Sequence, residues 1–198
     1  MTKEELMYAS PEDQAFYLKC VRGLPIIPEG GLGLNVEPLP YGLGPHSVRC
    51  LREVVKIVNP KRMFEIGFNM GWSASMWLEL SESLLNSCDI SKKEETIQAA
   101  KILTDRYGDR FCYMDARSFD MDSDFDADYD LIFIDGGHLI DDVKKDIRTS
   151  FNWHIKYLVF DDILPEFGQV QEAIDLFGEQ LSLVKEMGNI ALYKNNII

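Results

Sequence analysis

Residues 64–73 read FEIGFNMGWS, and the fold turns on how that decapeptide bends. An apolar, strand-like run breaks at Gly67 and reaches Gly71 as a helix-like stretch begins, which is how a βαβ unit opens. Outward from it the same rhythm repeats. MFEIG, LLNSCDI, FCYM, YDLIFID and YLVFDD are separated by segments of helical length, and LSLVKEM and NIALYKN read as two further strands joined by a tight Gly188-Asn189 turn. LIFI shows no polar alternation, as expected of a parallel strand covered on both faces. The chain therefore reads as α/β: a doubly wound, mostly parallel sheet of seven strands.

Upstream, Ser10 and Pro11 stand at N-cap and first-turn positions and Gly23 supplies a stop, so residues 11–22 read as a helix. A second helix runs from Pro45 to Asn59-Pro60, with Val48, Leu51, Val55 and Val58 on one side. Between them, residues 24–45 are too rich in glycine and proline for regular structure. They form either a connector or a loop over a site, with Leu32, Leu34, Tyr41 and Leu43 as wall candidates. Farther on, Ser91 to Glu94 reads as a capping box ahead of an Ile97, Ala100, Leu103, Tyr107 stripe, and Leu139, Val143, Ile147 and Phe151 make another.

With 198 residues, 46% of them hydrophobic, the chain has the material for one domain, 1–198, with residues 1–58 as a helical cap and substrate loop. A formal charge of −13 argues against nucleic acid as a partner. No apolar run approaches the about 20 residues that span a bilayer. Cys20, Cys50, Cys88 and Cys112 lack metal-site spacing and suit a reducing cytoplasm.

Ligands of doubly wound sheets bind beyond the carboxyl ends of the strands. Here those ends carry Glu65 and Gly67, Asp89, Asp115, Asp135, and Asp161-Asp162, nearly all acids. A glycine turn before a helix invites an anion. Yet the P-loop pattern is absent, and the dinucleotide fingerprint fails at Asn69 and Trp72, with Glu65 beside the would-be pyrophosphate. A ligand with a cationic end, a small carboxylate and a ribose suits the turn better, and S-adenosylmethionine is one.

Glu65, Gly67 and Gly71 resemble motif I of the class I S-adenosylmethionine-dependent methyltransferases, with Asn69 in place of the middle glycine. Asparagine tolerates left-handed backbone, so the turn survives the change. The resemblance covers residues 61–198 and implies a Rossmann-like methyltransferase fold. It assigns cofactor contacts to Glu65, Gly67, Asn69, Gly71 and Ser73, the ribose hydroxyls to Asp89, the adenine to Asp115 and Ala116, and a further contact to Asp135. Asp89 also reads as a residue placed ahead of the Ser91 cap. The aspartate-rich loop 115–130 lacks the glycine and glutamate of an EF-hand and reads as a solvated connection.

The carboxylates of Asp135, Asp161 and Asp162 end neighbouring strands and should converge, which calls for a proton, a base or a cation between them. Oxygen donors favour Mg²⁺ or Ca²⁺. The arrangement resembles the metal-dependent O-methyltransferases related to catechol O-methyltransferase, with Asp162 where those carry Asn, and IDGGHLIDD resembles a wider DGGH-containing group of small-molecule methyltransferases. His138 occupies the position of the catechol group's catalytic lysine. It reads as a general base, as an extra metal ligand, or as a polar residue in a helix's first turn. The resemblance implies methyl transfer to a hydroxyl of a small molecule such as a catechol, sugar or natural product, and family habit adds a homodimer. Two other classes stay open: a dinucleotide-dependent oxidoreductase, and a methyltransferase-fold binding protein or hydroxylase without methyl transfer.

Overall fold

The computed structural model describes residues 9–25, 44–121 and 128–198. Most of the glycine- and proline-rich stretch, with Leu32, Leu34, Tyr41 and Leu43, lies outside the described residues, as do residues 122–127 of the acidic loop. Helices α1 (Pro11–Val21) and α2 (Ser47–Val58) precede an alternation of β1 (Arg62–Ile66), α3 (Trp72–Leu80), β2 (Leu84–Asp89), α4 (Glu94–Tyr107), β3 (Phe111–Asp115), β4 (Leu131–Ile134), α5 (Ile140–Asn152), β5 (Tyr157–Phe160) and α6 (Val170–Asp175). The hairpin of β6 (Leu181–Met187) and β7 (Ile190–Asn195) closes the chain. The described strands form one seven-stranded sheet in the order β3-β2-β1-β4-β5-β7-β6. β1 to β5 run parallel, and β7 pairs antiparallel with both β5 and β6.

Alternation along the strands feeds two cores. Met63, Leu131, Phe133, Val159 and Leu192 pack under α1, α2, α3 and α4, while Phe64, Ile132, Ile134, Leu158 and Phe160 pack under α5 and α6 on the other face. Ser10 caps α1 by accepting from Asp13 N at 3.1 Å. The buried Asp13 then ties α1 to α2 through Arg52, whose Nη1 donates to Asp13 Oδ1 at 2.7 Å. Among the described residues no helix is long and apolar enough to cross a membrane, and all four cysteines are free.

Three local readings need correction. The capping box at Ser91 does not form: Lys93 is the N-cap and makes no side-chain cap bond, because Ser91 is drawn into a turn with Asp89, which accepts from Ser91 N at 2.7 Å. The α4 stripe is Thr96, Ala99, Ala100 and Leu103, and Ile97 faces out at 58% exposure. Leu139 is likewise 66% exposed, since it precedes α5 as its N-cap and has not entered the helical spiral.

The parallel strands leave β1 in opposite directions, with β2 and β3 on one side and β4 and β5 on the other. At this switch the turn after β1 crosses the start of the β4 loop. Gly67 has φ +94, and a Cβ built there would lie 1.9 Å from the Asp135 carbonyl oxygen. Gly108, at φ +55, has nothing within 4 Å of such a Cβ. Gly67→Ala is therefore expected to cost about 3 kcal/mol or more, from overpacking added to backbone strain, and Gly108→Ala only about 1 to 2 kcal/mol, from strain alone. Urea denaturation of the two variants reads the difference.

Candidate active site

A cavity of about 840 Å³ opens at the switch point, lined by the turns that follow β1 to β5. Its first wall is the decapeptide's own turn. Gly67, Asn69 and Gly71 all take positive φ, at 94°, 46° and 73°, so the turn stays left-handed at the position where a third glycine would stand. Gly71 is the N-cap of α3, and no side chain caps that end. Its first-turn amides therefore border the cavity with unspent hydrogen-bonding capacity, beside the buried Ser73.

Asp89 ends β2 and stands across from this turn. Its Oδ2 accepts from Asn69 N at 2.7 Å and its Oδ1 from Ser91 N at 2.7 Å. Each oxygen retains a further lone pair, so the carboxylate is oriented while still able to accept from two vicinal hydroxyls. Both sequence readings of Asp89, local brace and hydroxyl acceptor, are thus compatible with its geometry.

Glu65 lies one layer below. It is fully buried and does not line the cavity. Its Oε2 accepts from Ser87 Oγ at 2.6 Å, while Oε1 has no hydrogen-bond partner. Burial pushes the carboxyl up to about 7, against the pull of the Ser73 and Ser87 hydroxyls, and Asp89 adds to the rise.

At the end of β3, Asp115 does not enter the cavity wall; its carboxylate is paired with Lys92. Ala116 does line it, together with Ser118 and Phe119. The acid on this side is Asp146, from the second turn of α5. It is 3% exposed, takes a hydrogen bond from the Ser118 hydroxyl, and is pushed up to about 6 chiefly by burial. Sequence reading passed over Asp146 because nothing local distinguishes it from the other acids of α5. Phe119 offers an apolar face, with Lys145 Nζ 4.8 Å from its ring centre on one approach.

The remaining wall holds Asp135, His138 and Asp162, each contributing one ligand-type atom within 4.8 Å of the others. His138 Nε2 lies 3.4 Å from Asp162 Oδ2 and 3.9 Å from Asp135 Oδ1. Asp135 is raised well above the ordinary carboxylate range by burial and then by the charges of Asp162, Glu65 and Asp89. Asp161 does not join the group. It is 4% exposed, and burial with the neighbouring Asp135 and Asp162 likewise raises it. His138 stands where sequence reading expected Asp161, so its ring nitrogen is available beside the two carboxylates either as a third donor or as a proton acceptor. Gln169 N donates to the His138 carbonyl at 3.0 Å, and Gly168 packs so close that a Cβ would sit 2.8 Å from His138 Cβ. These supports belong to a loop with no visible periodicity. Carboxyls crowded together in this way favour a cationic ligand or a divalent ion, Mg²⁺ or Mn²⁺ on the carboxylate oxygens alone and Mn²⁺ or Fe²⁺ where the histidine nitrogen joins them.

A family model described as a methyltransferase domain matches residues 64–163, which takes in every residue of the cavity wall discussed above; the Gly168-Gln169 support lies beyond it. No curated protein sequence matches significantly. Among solved structures, the S-adenosylhomocysteine-bound methyltransferase PaMTH1 of Podospora anserina is similar at 15% identity and TM-score 0.67, over 98% of this chain and 92% of that one. The O-methyltransferase TomG of Streptomyces achromogenes, involved in tomaymycin synthesis and solved with S-adenosylmethionine, is similar at 14% identity and TM-score 0.64, over 97% and 93%. The 1,6-didemethyltoxoflavin-N1-methyltransferase of Burkholderia thailandensis matches 75% of this chain and 78% of its own at 13% identity and TM-score 0.57.

Glu65 has a consequence for stability. Its folded value of about 7 exceeds the ordinary 4.5, so the folded chain holds an extra proton between those values and stability falls as pH rises through that window. The penalty of ionising it is fully present above pH 7. Glu65→Gln is expected to remove on the order of 2 to 3 kcal/mol from the loss of stability between about pH 5 and 8, as measured by urea denaturation at both ends.

Proposed function

The chain belongs to the methyltransferase-domain family, and on that premise we propose that it transfers the methyl group of S-adenosylmethionine to a hydroxyl oxygen of a small molecule, with a divalent cation held by Asp135 and Asp162. One observation carries the reading: a glycine turn, an oriented Asp89 and a histidine between two carboxylates face one another across a single cavity. S-adenosylmethionine supplies an activated methyl on a sulfonium, and the cation supplies a Lewis acid that acidifies a hydroxyl.

The residues of the chain do the positioning. Amides of the α3 N-terminus, that of Ser73 among them, receive the amino-acid carboxylate. Gly67 lets the turn lie against the Asp135 carbonyl and so sets the backbone that lines the cavity, and Glu65 beneath the turn, once ionised, favours the cationic end. Asp89 accepts from the ribose hydroxyls. Ile90, 55% exposed on the cavity wall, and Phe119 enclose the base. Asp146, in place of Asp115, accepts from the adenine amine. On the acceptor side His138 Nε2 takes the hydroxyl proton, and Asp162 Oδ2 at 3.4 Å stabilises the resulting imidazolium. Most of the rate comes from alignment of the two reactants. The similarity of TomG, a named O-methyltransferase, supports oxygen as the acceptor atom, and the free cysteines suit a reducing cytoplasm.

Calorimetric titration with S-adenosylhomocysteine, with NAD as control, tests the cofactor. Binding of the first and not the second is expected; binding of NAD alone would sink the proposal. His138→Ala should lower turnover of hydroxylated acceptors by about 10²- to 10⁴-fold while leaving cofactor affinity intact. Asp146 loses its charge below about pH 6, so S-adenosylhomocysteine affinity should weaken as pH falls through that value in the native chain and lose that dependence in Asp146→Asn.

A further inference from the structure

We infer that Asn189, in the β6–β7 turn, is the positioning residue that decides which of the two adjacent carboxylates after β5 enters the cavity, and so holds Asp162 in place for the divalent cation. The inference rests on the cation role proposed for Asp135 and Asp162. Successive residues leaving a strand point to opposite faces. Asp161 turns inward and is 4% exposed, whereas Asp162 lines the cavity. That outward placement is not intrinsically favoured. Asp162 has φ 56, a left-handed conformation that costs a non-glycine residue about 1 to 2 kcal/mol, so the surroundings must impose it.

Asn189 supplies the restraint. Its Nδ2 donates to Asp162 Oδ1 at 2.5 Å and to Asp161 Oδ1 at 3.2 Å. Its Oδ1 accepts from Leu164 N at 3.3 Å, and its backbone carbonyl accepts from Ile163 N at 3.2 Å. One turn residue thus grips residues 161 to 164 in succession. Occupying Asp162 Oδ1 leaves Oδ2 directed at His138 Nε2, 3.4 Å away. The chemistry of the side chain matters as well. A lysine here would compete with a cation for the pair, while an amide donates to both carboxyl groups without adding a charge of its own. Asn189 does not line the cavity, so it acts through Asp162. Second-layer partners of this sort are worth about 10- to 100-fold in metal affinity.

The test is calorimetric titration of Mn²⁺ into the full chain, alongside S-adenosylhomocysteine titration and the Mn²⁺ dependence of turnover. Asn189→Ala should weaken Mn²⁺ binding by about 10- to 100-fold, leave S-adenosylhomocysteine affinity unchanged, and recover turnover at saturating Mn²⁺. Asn189→Ser, which keeps a turn-compatible residue too short to span to Asp162, should behave alike and serves if the alanine variant fails to fold. Ile190→Val thins the core beside the same turn without touching the brace, and should bind Mn²⁺ as the native chain does. The inference is overturned if the native chain binds no Mn²⁺, if the Asn189 variants bind it as tightly as the native chain, or if Ile190→Val loses as much affinity as they do. Failure to bind S-adenosylhomocysteine would count against the methyltransferase reading alone, since the Mn²⁺ comparison does not depend on it.

Discussion

The contact between Gly67 and the Asp135 carbonyl is the constraint on which the rest of the site depends. A Cβ at residue 67 would stand 1.9 Å from that oxygen, a distance no side chain survives. Because the position is glycine, the turn after β1 lies directly against the loop after β4. Asp135 N donates to the Ile66 carbonyl at 2.9 Å, and Gly67 N to the Cys88 carbonyl at 2.9 Å, so three strand ends are laced together at the switch in strand order. The wall with the glycine turn and Asp89 and the wall with His138 consequently share a single cavity, as bringing two reactants into line would require.

Around this junction the protein concentrates acid and keeps part of it from water. Glu65 carries an oxygen without a partner, and Asp135 and Asp161 are held well above the ordinary carboxylate range. Such an arrangement works against the stability of the empty fold and in favour of whatever positive charge enters it. A sulfonium, an ammonium and a divalent cation are all charges of that kind. The same surplus weighs against a dinucleotide, whose pyrophosphate would meet Glu65 beneath the turn.

Orientation is achieved by small polar bonds that cost little elsewhere. Asp89 is held by two backbone amides, Asp146 by Ser118, His138 from behind by Gln169 and Gly168, and Asp162 by Asn189. Apart from Ser91, two residues from Asp89, each brace comes from a different segment from the residue it holds, and each leaves lone pairs or a ring nitrogen directed at the cavity. Rigid strands set the coarse position of these groups; the turns between the elements set their final aim.

Periodicity and turn chemistry were enough to read the strands, most of the helices and the acids at the strand ends, because a buried strand must be apolar and a switch-point site must lie past it. They also singled out Gly67, Asp89, Asp135 and Asp162 at strand ends, while His138 came from the family resemblance. What failed were features decided by contacts distant in sequence. Ser91 matched a capping box, yet Asp89 and Thr96 claimed its groups; Leu139 and Ile97 fitted helical stripes, yet the packed face lay elsewhere. Asp115 and Asp161 looked equivalent to their neighbours, yet Lys92 pairs with the first and the second is buried. Local sequence determined the fold and the list of available acids, since both follow from the pattern along one segment. Which acid faces the cavity, and which residue holds it there, was decided only when separate strands and turns met.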